Sequence, residues 1–373
     1  MNKILIWETL SKLGGGQEMT LKVADILSSD NELHFLIPEK GELSDELDKR
    51  KIPYTLMGDQ SMPKGNKGIK GLLKFFYLTL VAVIKGRKVV GKIKPDILYA
   101  PGPAALVWSA MCAKKNTKVI WHMHHMFLSG ATLKLINFFS AANCVKRIIS
   151  VSDYVGSQIK NEKAQSKKIT LYNPVELNDD IARKNLCDEY PQLEAKLKVA
   201  QIGFITPMKR QDVTLEVVNN LKNRGVDVSL AIVGSVREND AEFKTQIDSM
   251  ISEYDLSKRV VFTGYRTDVP EIISTFDVVM LPSVEGFPLV ALQAANENVA
   301  VLSVENSGCA ELVNSTCCGM LYSDDSSIDV IADTLLKVAE IDVKSAKEKH
   351  PDFLLFECSY DNFSAKISEI FSF

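Results

Sequence analysis

Short apolar runs alternate with amphipathic stretches along the first half of the chain. The runs are rich in Ile, Leu and Val and end in turn-forming residues, which is typical of buried strands. They predict strands at 3–7, 33–38, 96–102, 118–125 and 147–153. Helices are expected to follow the first and third of these strands and to end near Leu27 and Ala113. Strands that alternate with helices in this way indicate parallel α/β layers.

A second series begins after a polar, turn-rich stretch at 171–191, which we interpret as a linker. Its apolar runs predict strands at 198–205, 228–235, 259–265, 277–283 and 299–305. The chain has 373 residues, which is long for one domain and ordinary for two. The pattern therefore predicts two doubly wound α/β domains that face a central cleft, with ligands at the carboxyl ends of the strands.

Composition and charge narrow the functional class. Hydrophobic residues make up 46% and charged residues 24% of the chain, as in ordinary soluble proteins. The net charge of −3 argues against nucleic-acid binding by the whole chain. The N-terminus does not resemble a signal peptide, and lysines interrupt the most apolar stretch. The seven cysteines are scattered without a Cys-x-x-Cys pair, so a cytoplasmic location is expected.

Residues 62–94 form a basic segment that contains no aspartate or glutamate, with its lysines and arginines interleaved with Leu, Phe, Val and Ile. One interpretation is a core-facing helix with a solvated basic face. The other is a peripheral membrane contact that attracts anionic headgroups. The complete lack of acidic residues favours the membrane contact.

The glycine run LGGGQE at 13–18 follows the first predicted strand and opens a helix. Glycines let the backbone approach a ligand, and a helix N-terminus presents unpaired N–H groups to an anion. The spacing matches neither the dinucleotide fingerprint nor the P-loop. By itself, the run is equally compatible with a structural turn.

The stretch IGFITPMKRQD at 202–212 places Lys209 and Arg210 between a strand end and a helix start. A lysine in this position can neutralise a diphosphate leaving group through a charge-assisted hydrogen bond. The same two residues can also be a solvated basic pair. The stretch alone does not separate these interpretations.

The stretch LPSVEGFPLVALQAANEN at 281–298 joins another strand to a helix. Pro288 suits the first turn of that helix, whose N-terminus favours anionic phosphates. Glu285 lies outside the turn, where it is suited to hydroxyls of a sugar next to the phosphates. Gln293 lies further along the helix and could reach a second set of hydroxyls.

Several stretches, in this order, resemble the retaining glycosyltransferases of family 4, also described as glycosyl transferases group 1, over nearly the whole chain. These stretches are GGQE (15–18), YNPVE (172–176), PMKRQD (207–212), the block at 262–294, SGCAELV (307–313) and GMLY (319–322). The resemblance implies a GT-B fold with an acceptor-binding domain at 1–175 and a donor-binding domain at 176–355. It also implies that a last helix at about 356–373 packs back onto the first domain.

The resemblance implies roles for individual residues. Glu285 matches the glutamate that contacts the donor sugar, and Lys209 matches the lysine on the diphosphate. His124 matches the histidine near the reacting sugar better than His122 or His125 does. The implied donor-binding positions also include Gly15, Gly16, Gly286, Phe287, Pro288, Leu289, Val290 and Gln293.

Two positions depart from the family pattern. Gln293 stands where the family usually has a second glutamate, which holds the ribose hydroxyls. Phe204 stands where the family usually has an arginine on the diphosphate. Arg210 is expected to point elsewhere, so neutralisation of the diphosphate would depend on Lys209 and backbone N–H groups.

No metal cofactor is expected. Strand alternation puts His122 and His124 on one face and His125 on the other. No carboxylate or cysteine is near them in sequence, and no Asp-x-Asp occurs in the chain.

The predicted function is transfer of a hexose-type sugar from a nucleoside diphosphate, with a UDP-sugar favoured, to a glycan or lipid-linked acceptor in bacterial surface polysaccharide synthesis. A non-catalytic partner subunit and a nucleotide-sugar epimerase or hydrolase remain as alternatives.

Overall fold

A computed structural model describes residues 1–58, 68–127, 130–175 and 182–373 of the protein. The chain divides into two compact units. The first consists of Met1–Asn173 together with Asp361–Phe373, and the second of Pro174–Tyr360. The predicted cleft between two domains stays a prediction.

The first unit is built on a parallel sheet, whose described strands are β1 (Lys3–Trp7), β2 (Glu32–Ile37), β3 (Tyr54–Leu56), β4 (Ile97–Ala100), β5 (Lys118–Met123), β6 (Val145–Ser150) and β7 (Lys168–Thr170). Their order is β3-β2-β1-β4-β5-β6-β7, so the chain leaves β1 on one side and returns to its other side at β4. This reversal is a topological switch point, where open α/β sheets usually bind ligands.

Helices cover the sheet of the first unit. They are α1 (Gly15–Leu27), α2 (Glu42–Lys49), α3 (Gly68–Ile93), α4 (Pro103–Cys112), α5 (Gly130–Ser140), α6 (Asp153–Gly156) and α7 (Glu162–Gln165). Helix α3 packs closely on β1, because a Cβ atom at Gly86 would lie 2.4 Å from the Trp7 ring. The indoles of Trp7 and Trp108 are buried, with ring centroids 5.8 Å apart. Large aromatic side chains thus fill the layer between helices and sheet.

The second unit repeats the architecture with the described parallel strands β8 (Leu197–Ile202), β9 (Val228–Val233), β10 (Val260–Gly264), β11 (Val278–Leu281), β12 (Ala300–Val304) and β13 (Gly319–Tyr322). Their order is β10-β9-β8-β11-β12-β13, which places the switch point between β8 and β11. The helices are α8 (Leu186–Glu189), α9 (Gln211–Asn223), α10 (Ala241–Glu253), α11 (Val269–Ile272), α12 (Leu289–Asn296), α13 (Cys309–Thr316), α14 (Ile328–Val338) and α15 (Val343–Lys349).

The last helix, α16 (Tyr360–Phe371), follows a π-helical turn at Phe353–Glu357. Its end packs within the first unit. The ring of Phe371 meets Tyr99 edge-on, with centroids 5.3 Å apart, and Lys118 Nζ lies 4.3 Å from the Phe373 ring centroid.

The strands predicted from the sequence are confirmed, although most predicted runs extend past the carboxyl end of the strand. The excess residues form the turns that follow the strands. Short strands β3, β7 and β13 were not among the predicted strands, because three or four residues carry too little pattern to be recognised.

Candidate active site

Lys209 and Glu285 meet at the switch point of the second unit. Lys209 follows β8 and Glu285 follows β11, and these strands are neighbours in the sheet. Lys209 Nζ lies 2.5 Å from Glu285 Oε1, and the two side chains are 30% and 18% exposed. The structure therefore brings together two residues that were predicted to act on different parts of one ligand.

Hydrogen bonds fix the loop that carries Lys209. Gly203 directly follows β8 with a φ of 144°, which favours glycine, and Pro207–Lys209 form a single 3₁₀ turn. Gln201 Nε2 donates to the Lys209 carbonyl over 2.6 Å, and Gln211 Nε2 donates to the Phe204 carbonyl over 3.0 Å. Lys209 thus projects from a backbone that is held at both ends.

Glu285 is held by a residue of its own loop and by a neighbouring loop. The Ser283 hydroxyl donates to Glu285 Oε1 over 2.5 Å. The Gly308 N–H donates to the Glu285 carbonyl over 2.9 Å. Ser283 was not among the predicted site residues, because a serine two positions before a glutamate carries no distinctive pattern.

Arg210, the residue after Lys209, is paired with a different carboxylate. It adopts a left-handed backbone conformation, with a φ of 54°. Its guanidinium forms an ion pair with Asp324 and lies 3.5 Å from the Pro282 carbonyl oxygen. Arg210 therefore does not reinforce the positive charge of Lys209.

The residues after Glu285 lead into helix α12. Gly286 is buried, and the Phe287 side chain is 4% exposed, with its ring 6.4 Å from the Phe353 ring centroid. Pro288 is the N-cap, one residue before the first turn in which the sequence placed it. Leu289 and Val290 open the helix, and their N–H groups have no acceptor within it. Gln293 lies in the second turn and is half-buried.

In the first unit, Gly15 and Gly16 are the first residues of α1 and not part of a preceding turn, with Gly14 as the N-cap. Glu8, which follows β1, fixes this helix start. Its buried carboxylate accepts hydrogen bonds from Gln17 Nε2 over 3.2 Å and Thr20 Oγ1 over 2.9 Å. Burial raises the pKa of Glu8, and these hydrogen bonds oppose the rise.

His124 lies just beyond β5, beside His122. Their ring centroids are 4.1 Å apart, so the two side chains share a face, as predicted. Burial lowers the pKa of His122 to about 3 and holds the pKa of His124 well below its ordinary value. Both rings are therefore neutral at pH 7. The ring centroid of His125 lies 6.3 Å from that of His124, and the His125 Nε2 atom would be 3.9 Å from a Cβ atom at Gly16.

The hydrogen bonds of the two neutral histidines differ. His122 Nδ1 lies 2.6 Å from the Tyr99 hydroxyl. In the part of the chain that the structure describes, the Nε2 atoms of His122 and His124 are buried without a hydrogen-bond partner. Within the same residues, no group of three or more His, Cys, Asp or Glu side chains is arranged to hold a metal ion. Metal independence stays a prediction.

Comparisons with known proteins agree with this architecture. Residues 14–179 match the family model described as Glycosyltransferase Family 4. Residues 184–350 match the model described as Glycosyl transferases group 1. Between them, the two models span most of both compact units.

Relatives resemble the chain over nearly its full length or over less than half of it. An Escherichia coli protein named UDP-Gal:alpha-D-GlcNAc-diphosphoundecaprenol alpha-1,3-galactosyltransferase is 23% identical, over 93% of this chain and 90% of its own length. A putative colanic acid biosynthesis glycosyltransferase, WcaL, from E. coli K12 is 26% identical over 41% of this chain and 40% of its own.

The crystal structure of Anabaena Alr3699/HepE in complex with UDP superimposes with a TM-score of 0.78 at 17% identity, covering 98% of each chain. The glycosyltransferase WaaG, which is described as involved in lipopolysaccharide biosynthesis, superimposes with a TM-score of 0.69 at 12% identity, covering 100% of each chain. The two parallel sheets and their helices are thus those of the GT-B fold. The chain belongs to the group 1/family 4 glycosyltransferases, and it is a transferase enzyme.

Proposed function

We propose that this enzyme transfers a sugar from a UDP-sugar to a glycan or lipid-linked acceptor in bacterial surface polysaccharide synthesis, with retention of anomeric configuration. The observation that carries the proposal is the contact between Lys209 and Glu285 at the switch point of the second sheet. The name of the E. coli relative, with its UDP-galactose donor and diphosphoundecaprenol acceptor, supports the same class of substrates.

In the proposed reaction, the bond between the anomeric carbon and the β-phosphate oxygen breaks. The acceptor oxygen bonds to the same face of that carbon, and its proton passes to the departing phosphate oxygen. Lys209 and the first N–H groups of α12 would stabilise the negative charge that develops on the diphosphate. This route needs no strong base from the protein.

Glu285 would bind the sugar hydroxyls and stabilise the positive charge on the anomeric carbon. Ser283 holds the carboxylate in one orientation, which lowers the cost of positioning it during the reaction. His124 is proposed to contribute a neutral hydrogen-bonding group, since burial disfavours its charged form.

A non-catalytic partner subunit is the main alternative. It is suggested by Phe204 and Gln293, which depart from the family pattern at donor-binding positions. The Lys209–Glu285 pair argues against it, because both side chains remain partly accessible, and hydrogen bonds fix the Lys209 backbone and the Glu285 carboxylate. An epimerase or hydrolase would use the same donor and need no sugar acceptor.

A thermal-shift screen against UDP, GDP, ADP, CMP and TDP, with and without EDTA, tests the donor site. UDP at a hundredfold over its dissociation constant should stabilise the protein by about 2.7 kcal/mol. We expect the UDP shift to be the largest and to survive EDTA. The absence of a shift with every nucleotide would favour the partner subunit. For an active enzyme, NMR of the product would test retention.

The peripheral membrane contact is proposed to lie on helix α3. The helix exposes large apolar side chains that are each more than half accessible: Leu73, Phe76, Tyr77, Leu80 and Ile84. Their spacing puts them along one stripe of the helix. The opposite side, which includes Leu78 and Ala82, is buried in the unit.

The charge around this apolar stripe fits an anionic bilayer. Lys74, Arg87 and Lys88 are exposed on the same helix, and α3 carries no acidic residue. A helix between parallel strands returns from the carboxyl to the amino edge of the sheet, so the first turns of α3 lie on the edge that carries Gly15 and Gly16. A lipid-linked acceptor would be presented to that edge. In the described part of the chain, no helix has the length and apolarity to cross a membrane.

Replacing Leu73, Leu80 and Ile84 together with serine should weaken binding to phosphatidylglycerol vesicles by about 100-fold. Partial burial of each side chain in the bilayer interface contributes roughly 1 kcal/mol. Vesicle co-sedimentation measures the change. Phe138→Ser is the matched control, since Phe138 is exposed on α5 of the same unit. Equal vesicle binding by the triple variant and the wild type would rule out this surface.

A further inference from the structure

Arg237 lies over the ring of Phe204 beside the proposed diphosphate site. Phe204 follows β8 and Arg237 follows β9, which is the next strand in the sheet. The guanidinium carbon lies 4.4 Å from the ring centroid, within the range of a cation–π interaction. The residue that stands in place of the family's arginine is therefore itself in contact with an arginine from the next loop.

The two loops are joined by backbone contacts. The Ile205 N–H donates to the Ser235 carbonyl over 3.0 Å, and Ile205 pairs with Val236 in an isolated parallel bridge. Gly234 lets the loops approach, because a Cβ atom there would lie 2.1 Å from the Gly203 carbonyl oxygen. The position of Arg237 relative to Phe204 is thus set by the sheet.

Lys209 reaches the same short stretch of backbone. Its Cε atom would lie 3.5 Å from a Cβ atom at Gly203, which directly precedes Phe204. Arg237 and Lys209 therefore lie beside two consecutive residues, Phe204 and Gly203, at the carboxyl end of β8.

Arg237 also differs from its basic neighbours in its ion pairs. Lys209 is paired with Glu285, and Arg210 with Asp324. Among the residues whose side chains are described, Arg237 has no carboxylate partner, and its side chain is exposed. An exposed guanidinium at this position can contact an anion that enters beside Lys209.

We propose that Arg237 binds the donor diphosphate together with Lys209, and that Phe204 is a positioning residue that holds the guanidinium in place. This inference rests on the proposed function and names a diphosphate contact that the sequence does not reveal. A guanidinium can form two parallel hydrogen bonds to phosphate oxygens, and its stacking on an aromatic ring limits its conformations in the free enzyme. Arg237 thereby supplies the charge that is missing at position 204.

The test compares UDP and uridine binding by calorimetry in the full-length protein. Arg237→Ala should weaken UDP binding roughly tenfold, as expected for the loss of one exposed charge-assisted contact. Uridine binding should not change, because uridine lacks the diphosphate. Lys244→Ala is the matched control, since Lys244 is a cation over another ring of the same unit, 4.1 Å from the Phe262 centroid. It should bind UDP like the wild type.

Variants of Phe204 separate positioning from folding. Phe204→Tyr should keep the UDP affinity, and Phe204→Leu should lose part of it and raise the KM for the donor while kcat changes little. Phe204→Arg, introduced into Arg237→Ala, should restore the UDP affinity and its dependence on salt.

The outcomes distinguish this inference from the donor site itself. A wild-type protein that binds no UDP would overturn both the UDP donor and the role of Arg237. Equal UDP binding by the wild type and Arg237→Ala would overturn only the role of Arg237. A loss of uridine binding in Arg237→Ala that is as large as its loss of UDP binding would do the same.

Discussion

Lys209→Ala should lower kcat/KM for the nucleotide-sugar donor by about 100-fold without unfolding the protein. Lys209 is a cation at the switch point of the second sheet, in contact with Glu285. Negative charge on the diphosphate grows as the glycosidic bond breaks, so the loss of this cation raises the transition state more than the ground state. A factor of 100 corresponds to about 2.7 kcal/mol. Steady-state kinetics with a UDP-sugar measures the effect.

Lys198→Ala is the matched control for this variant. Lys198 lies in the same strand, β8, at its amino end, where its Nζ atom is 3.9 Å from Asp277. It removes the same charge and a longer ion pair, but from the opposite edge of the sheet. Both variants should give similar unfolding midpoints, and only Lys209→Ala should lose activity. Equal activities would exclude Lys209 from the diphosphate site.

The strands could be predicted from the sequence, whereas the contact between Lys209 and Glu285 could not; the roles of the two residues in a site stay predictions. The two residues are separated by 76 positions, and β9 and β10 lie between them in the chain. They meet because the sheet places β11 next to β8 and not next to β10. Apolar runs reveal that strands exist, but their order in a sheet depends on packing and crossover connections.

Two other features could not be predicted from the sequence with certainty, because their residue patterns are ambiguous. Glu8 is a single carboxylate after a strand, and only its burial against Gln17 and Thr20 shows that it fixes the start of α1. The apolar residues of α3 recur with helical spacing on two sides of the helix, and either side could face a core. Among the residues that the structure describes, one of these sides is covered, and Leu73 and Leu80 lie on an exposed one.

Glu285→Ala should reduce turnover by about 100- to 1,000-fold and yet bind UDP at least as tightly as the wild type. In the free enzyme, the carboxylate lies 2.5 Å from the ammonium of Lys209 and accepts a hydrogen bond from Ser283. UDP carries the diphosphate without the sugar, so it gains nothing from Glu285 and is repelled by its charge. The bound sugar, in contrast, depends on that carboxylate for its orientation and charge stabilisation.

A variant that keeps its UDP affinity but loses turnover would show that the Glu285 carboxylate acts on the sugar and not on the diphosphate. Lys209→Ala should lose both UDP affinity and turnover, whereas Glu285→Ala should lose only turnover. Glu340→Ala serves as the control, since Glu340 is exposed near the end of α14, on the amino edge of the sheet, and should change neither quantity. Calorimetry with UDP and kinetics with a UDP-sugar provide the two measurements. A Glu285→Ala variant that lost UDP affinity in parallel with turnover would mean that the carboxylate supports the fold of the site, and that the sugar takes its charge stabilisation from another group.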